Sequence, residues 1–376
     1  MKRILIIIGT RPEAIKLAPV IRALRQKYAG VELRICDTGQ HHALKLPIFD
    51  FFDIRPDYQL QALHTEFTLA DQMAYLLEHL SKVIQDFQPH LTVIQGDTNT
   101  ALAGAWASFY AGVRVAHVEA GLRTFDKTAP FPEEVNRQAI ARIADIHFAP
   151  TMLSKQHLLQ EGVPEAQIHL TGNTIVDALH WALAQISTHE PPSVQRLRQQ
   201  LKPLQQSYDK MLLLTLHRRE NLYQHQEAIS AAIRNVLTIN SCFMLWPVHP
   251  NPVARQWATQ LSKALPNLLL VEPLAYEAFV WAMQQCDLIL TDSGGVQEEA
   301  PSLGKRVIVM RTHTERPEAQ ASGAVWKVSV DSQTIQNAVM ELLQMPADRR
   351  ASDGGNPFGE GNSAETIATI LNDYLC

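Results

Sequence analysis

Short runs of β-branched and leucine residues alternate with longer stretches of helical periodicity along almost the whole chain. The apolar runs at residues 4–8, 32–36, 91–94, 113–118, 146–149 and 168–171 predict six strands. Runs at 211–216, 243–248, 268–271, 288–291, 307–310 and 325–328 predict a second set. Helical patterns separate them, including 67–87 and 224–239, and a last helix is expected at 363–375. Strands this apolar, spaced by helices, belong to parallel sheets covered on both faces. The polar stretch Ser187-Thr188-His189-Glu190-Pro191-Pro192-Ser193 separates the two sets and marks a hinge. The expected fold class is therefore α/β, with two doubly wound Rossmann-like domains facing a central cleft. The first covers 1–186 and is rejoined by the helix at 358–376; the second covers 187–357. Ligands of such sheets bind at the carboxyl ends of the strands.

Length supports this division, because 376 residues exceed the roughly 250–300 at which one core stops growing. A hydrophobic content of 46% with 19% charged residues describes an ordinary globular protein. The net charge of −5 speaks against a nucleic-acid binder, since no basic surplus exists to neutralise a phosphate backbone. No run reaches membrane-spanning length, and the N-terminal apolar run is too short for a secretion signal. The cysteines Cys36, Cys242, Cys286 and Cys376 have no metal or redox spacing. Three of them lie in or beside apolar runs and read as buried thiols, so a cytoplasmic location is expected.

The segment with the most chemical content is Thr291-Asp292-Ser293-Gly294-Gly295-Val296-Gln297-Glu298-Glu299. A strand that stops here and turns into a helix leaves unpaired N–H groups at the helix start, where the dipole adds positive charge. That suits a phosphate, with Ser293, Gly294 and Gly295 as the cradle. Glu299 follows about one and a half turns later, placed for ribose hydroxyls. A simple capped helix is the plainer alternative for Ser-Gly-Gly alone. After the first strand comes Gly9-Thr10-Arg11-Pro12-Glu13-Ala14-Ile15-Lys16, where Thr10 and Glu13 fit a capping box and Pro12 a first turn. Arg11 and Lys16 are not explained by capping and point to an anion. There is no GxGxxG fingerprint, so no dinucleotide redox cofactor is expected.

Asp97 and Glu119 follow the strands at 91–94 and 113–118, and Glu133-Glu134 opens a helix after Pro132. Singly, each acid is ordinary; three around one cleft suit proton transfer, because crowded carboxylates raise one another's pKa. In the second half, His217-Arg218-Arg219 at a strand end suits a pyrophosphate leaving group. The stretch 311–318, which includes Arg316, supplies further cations. For Trp246-Pro247-Val248-His249-Pro250 a rigid loop and a site role stand equal. Phe279 and Trp281 read as core, with Phe279 alternatively flanking a base.

Taken together, these segments resemble the non-hydrolysing bacterial UDP-N-acetylglucosamine 2-epimerases. The likeness runs in order from Gly9–Lys16 through Gly96-Asp97-Thr98, His117-Val118-Glu119-Ala120-Gly121-Leu122-Arg123-Thr124 and Pro132-Glu133-Glu134. It continues through Thr171-Gly172-Asn173-Thr174, His217-Arg218-Arg219-Glu220, the Asp-Ser-Gly-Gly helix, Thr314-Glu315-Arg316-Pro317-Glu318 and Asn356-Pro357-Phe358-Gly359. The resemblance implies a fold like the two-domain nucleotide-sugar glycosyltransferases and glycogen phosphorylase (the GT-B type). It implies reversible conversion of UDP-GlcNAc to UDP-ManNAc for cell-surface polysaccharide synthesis. The steps are anti elimination of UDP to 2-acetamidoglucal and syn re-addition, with no cofactor, no metal and a homodimeric assembly.

By motif, Asp97, Glu119 and Glu133 become the acid/base residues. His217, Arg11 and Lys16 handle the diphosphate or neighbouring groups, Ser293, Gly294 and Gly295 cradle phosphate, Glu299 holds ribose, Phe279 lies near uracil, and Arg316 is a further binding candidate. The chain departs from the family at Ala43, Glu66 and Phe67, in segments that family members use for a second, activating UDP-GlcNAc, so weaker activation is expected. A hydrolysing epimerase or one acting on a modified UDP-GlcNAc is the nearest alternative. A UDP-sugar glycosyltransferase is a more distant one, because fold alone does not set function.

Overall fold

The computed structural model describes residues 2–40, 42–62, 66–239, 241–311, 316–321, 323–345 and 356–375, without the side chains of 42–44 and 321. His41, Thr312, His313, Thr314, Glu315, Gly354, Gly355 and Cys376, and the side chains of His42 and Ala43, thus lie outside the described residues. The chain divides into two compact units, Met1–Ala178 with Phe358–Cys376, and Leu179–Pro357.

In the first unit the strands are β1 (Lys2–Ile8), β2 (Val31–Asp37), β3 (Tyr58–Gln59), β4 (Leu91–Gln95), β5 (Arg114–Val118), β6 (Ile146–Ala149) and β7 (Ile168–Leu170). They pair in the order β3-β2-β1-β4-β5-β6-β7, all parallel. In the second, β8 (Lys210–Thr215), β9 (Cys242–Pro247), β10 (Leu268–Val271), β11 (Leu288–Thr291), β12 (Arg306–Met310) and β13 (Val325–Val328) pair as β10-β9-β8-β11-β12-β13, again all parallel. Both are doubly wound, as the apolar runs predict: Ile4, Leu5, Ile6, Ile7 and Ile8 are buried on both sides of the sheet, so no polar alternation survives. Strand order reverses between β1 and β4, and again between β8 and β11. In open α/β sheets the space outside such a reversal is where ligands bind.

Two departures from the sequence pattern are local. β3 has no apolar run to announce it; Tyr58 is held instead by the Arg34 guanidinium at 3.0 Å and by donating to Asp86. The helix expected at 224–239 is present as Gln226–Ile239, and a short helix that no pattern announced, Arg219–Tyr223, precedes it. The helix Leu69–Phe87 begins behind a Thr68–Asp71 capping box, two residues later than its pattern starts.

The helix Ser363–Tyr374 packs on Arg11–Lys27 within the first unit. Asp177 accepts the Ala364 N–H at 2.9 Å, and the Asn173 N–H donates to Phe358 O at 2.7 Å. Gly172 makes this approach possible: at φ +83° a Cβ there would meet Ser363 Oγ at 2.6 Å.

Candidate active site

In the first unit the reversal point is built on the turn after β1. A Cβ on Gly9 would lie 2.1 Å from Thr100 Oγ1, so only glycine lets the strand end approach this closely. Glu13 caps the helix Arg11–Lys27 from within, accepting the Gly9 and Thr10 N–H groups at 3.2 and 2.5 Å and the Thr98 hydroxyl at 2.8 Å. Burial pushes its pKa up, against the pull of those bonds. Arg11 is half-buried at the helix start. Lys16 is buried and paired with Glu119. The anion that the sequence demanded beside Lys16 is thus, in this structure, a carboxylate of the protein itself.

Glu119 follows β5 and holds φ +65°, a left-handed conformation that costs a non-glycine residue about 1 kcal/mol. Its Oε2 also accepts Asn173 Nδ2 at 3.0 Å. Asp97 follows the neighbouring β4, where Gln95 pairs with Val118. Arg137 donates to Asp97 Oδ2 at 2.5 Å, and Asn136 donates to the Asp97 carbonyl at 2.9 Å. Both donors belong to the helix Glu133–Ile143, so its first turn and Asp97 are held together. Glu133 is half-buried, one turn ahead of Arg137, and has no hydrogen-bonding or ionic partner among the described residues. Its neighbour Glu134 is fully buried and accepts the N–H groups of Thr124 and Phe125 at 3.0 Å each, which is a structural task. The expectation of crowded carboxylates is modified accordingly: two of the three acids are each met by a cation.

Beneath them, His117 and His147 sit side by side on β5 and β6, both buried. Burial drives the first to a pKa of about 3 and the second to about 4. The His117 ring lies 2.7 Å from Gly96 O, so it serves the floor of the site as a neutral donor.

In the second unit, His217 follows β8 and Asp292 follows β11, adjacent strands in register through Thr215 and Thr291. The Asp292 carboxylate is fully buried and lies 2.8 Å from Nδ1 of the His217 ring, which is 39% exposed. Burial alone would raise the Asp292 pKa, but His217, the Arg218 N–H and Asn221 together hold it below the usual range. His249 lies close by: its pKa is lowered by burial first and by His217 next. The helix Gly294–Glu299 starts at once behind Ser293. A Cβ on Gly295 would meet nothing nearer than Glu299 Oε2 at 3.8 Å. Glu299 is buried and accepts the Tyr276 hydroxyl at 3.2 Å. Phe279 is half-buried in the helix Tyr276–Gln285, whereas Trp281 is core, as the sequence suggests. Arg316 is buried and bonded to Glu298 at 2.5 Å.

Among the described residues no cluster of metal-ligating groups occurs, and no helix is long and apolar enough to cross a membrane. Cys36, Cys242 and Cys286 are buried free thiols, with pKa values pushed by burial to about 12, 11 and 12. A 640 Å³ cavity beside β10 in the second unit, bordered by Arg196 and Arg255, contains none of the expected site residues. Of the supporting residues, sequence did not single out Arg137 and Tyr276, and it named Asn173 and Asp292 only within motifs, without a role. For Asp292 a signal existed, since an acid at the end of a buried strand must find donors.

Comparison with known proteins follows the same lines. A family model described as UDP-N-acetylglucosamine 2-epimerase matches residues 22–372. The chain is 41% identical over 374 residues to the UDP-N-acetylglucosamine 2-epimerase of Salmonella typhimurium, covering 99% of each. The crystal structure of UDP-GlcNAc 2-epimerase from Neisseria meningitidis bound to UDP-GlcNAc superposes with a TM-score of 0.91 at 36% identity, covering 99% of this chain and 100% of that one. The Methanocaldococcus jannaschii enzyme in complex with UDP-GlcNAc and UDP gives 0.83 at 35% identity, covering 99% of each.

Proposed function

The chain belongs to the UDP-N-acetylglucosamine 2-epimerase family, and from that premise we propose that it interconverts UDP-GlcNAc and UDP-ManNAc by elimination and re-addition of UDP. The observation that carries this is the division of labour between the two reversal points. One presents carboxylates of differing charge environment, Asp97 on Arg137, Glu119 on Lys16, and Glu133 unpaired among the described residues. The other presents a histidine held by a buried carboxylate and a helix that starts at Gly294.

In the forward direction a carboxylate takes the C2 proton while the C1–O bond breaks and its electron pair leaves with UDP. The product of that step is 2-acetamidoglucal, with a C1=C2 double bond. A β-phosphate oxygen then re-forms the C1–O bond as a proton returns to the opposite face of C2. Asp97, Glu119 and Glu133 share the acid and base roles. His217, Arg11 and the N–H groups at Ser293, Gly294 and Gly295 meet the charge that develops on the departing diphosphate. Lys16, already on Glu119, sets the charge environment of that acid. Glu299, steadied by Tyr276, takes the ribose hydroxyls, Phe279 lies along uracil, and Arg316 supports the same loop through Glu298.

The buried free thiols suit a reducing cytoplasm. The rings of Phe109 and Tyr110, 57% and 72% exposed beside Trp106, offer a face for a homodimer.

The decisive test is incubation with UDP-GlcNAc in D2O, without acceptor or nicotinamide. UDP-ManNAc carrying deuterium at C2 is expected. Product without deuterium would overturn the elimination route, and free ManNAc with UDP would replace it by hydrolysis.

A further inference from the structure

Asp292 is not among the acids that sequence or family likeness puts forward, yet its surroundings are more specific than theirs. The Oδ2 atom accepts the N–H groups of His217 at 3.2 Å and Arg218 at 3.1 Å, and Asn221 Nδ2 at 3.1 Å. Asn221 is itself buried and anchored to the Met310 carbonyl at 3.0 Å. These donors fix the carboxylate in one orientation. Its other oxygen, Oδ1, receives the His217 N–H at 3.1 Å and faces the His217 ring at Nδ1, 2.8 Å away. Backbone anchoring of the loop is complete without that last contact, which involves only the imidazole.

We propose that Asp292 is the positioning residue for His217: its carboxylate accepts a hydrogen bond from Nδ1–H, fixes the neutral ring as the Nδ1–H tautomer, and leaves Nε2 as the atom that exchanges a proton with the diphosphate. This deepens the epimerase reading and rests on it for the identity of the diphosphate. A carboxylate can accept at both oxygens, whereas an asparagine has one acceptor and one donor end. In Asp292→Asn the donors gathered around Oδ2 require the amide oxygen there. The amide NH2 then faces Nδ1 and donates to it, which forces the proton onto Nε2. A shape-conserving substitution therefore reverses the tautomer, and a residue that merely anchored the loop would have no such effect.

The test uses protein labelled with [15N]histidine, with the His217 ring signals identified by their loss in His217→Asn. In the neutral ring the wild-type nitrogens should show Nδ1–H and a bare Nε2, and Asp292→Asn should show the reverse. Turnover of Asp292→Asn should fall about 10²-fold in kcat with KM changed by less than about threefold. The double variant with His217→Asn should be no slower than His217→Asn alone, because both act through one group. An Nε2–H ring in the wild type would overturn the proposal, and this measurement needs no variant to fold. Losses that multiply in the double variant would overturn it as well. The nitrogen signals require no turnover, so a failure of the epimerase reading in D2O would leave this result standing separately.

Discussion

The two reversal points share one topology and differ in how their charges are met. At β1/β4 and the strands beside them, cations are already engaged by carboxylates of the same unit: Lys16 by Glu119, Arg137 by Asp97, and, fully buried, Lys45 by Asp37. At β8/β11 one buried acid binds a histidine and another, Glu298, holds Arg316, while Arg219 is exposed and has no ionic partner among the described residues. In the first arrangement the acids proposed for proton transfer sit in a fixed electrostatic frame. In the second, the exposed Arg219 and the His217 ring are what the proposed reading assigns to the diphosphate. On that reading one fold serves acid/base chemistry in one copy and leaving-group binding in the other.

The largest expected effect comes from breaking the frame. Asp97→Asn, Glu119→Gln and Glu133→Gln should each lower kcat by about 10² or more. Their stabilities should separate: Glu119→Gln strands a lysine only 8% exposed and should cost about 3 kcal/mol in denaturant unfolding. Glu133→Gln should cost less than about 0.5 kcal/mol, because it has no partner to lose. Equal destabilisation by these two would erase the distinction. Adding Lys16→Met to Glu119→Gln should restore part of the lost stability and none of the activity, since the uncompensated charge is gone but the acid is still missing.

Acid should also strike the first unit through His117 and His147. Their folded pKa values, about 3 and 4, lie below the ordinary 6.5, so the unfolded chain takes up protons first. Their contribution is complete above pH 6.5 and is lost as pH falls toward the folded values, at up to about 1.4 kcal/mol per pH unit for each ring. Replacing His147 with Gln should flatten the decline of the urea midpoint between pH 6.5 and 4.5; an unchanged slope would show that the ring is protonated in the fold. The smallest effect belongs to the second unit. Glu299→Ala should weaken UDP binding about tenfold by calorimetry with little change in kcat, because a ribose contact is shared by ground and transition states. Abolished turnover with unchanged UDP affinity would contradict that role.

Much of this was legible in the chain. Apolar runs flanked by helical patterns located every strand except β3, whose two residues bury too little to leave a signature. Motifs placed Asp97, Glu119, His217 and Ser293 just after strands, and there they lie, behind β4, β5, β8 and β11. Pairing was not legible. Lys16 and Glu119 are 103 positions apart, and His217 and Asp292 are 75 apart. Spacing along a chain encodes helix and strand faces, but a contact across that distance is set by strand order, which periodicity does not contain. The sequence therefore pointed Lys16 to an anion without showing that Glu119, two strands away in the sheet, pairs with it.

The return of Phe358 and the helix Ser363–Tyr374 to the first unit has a consequence for the order of events on the ribosome. Synthesis proceeds through Ala178, then through all of the second unit, before the segment that covers Arg11–Lys27 emerges. Asn173, which steadies Glu119, takes its own backbone anchor from Phe358. The first unit to begin folding is therefore the last to finish. A nascent chain can complete its second sheet while Glu119 still lacks part of its support, so the carboxylate proposed for proton transfer is fully braced only after the bulk of the chain is already folded.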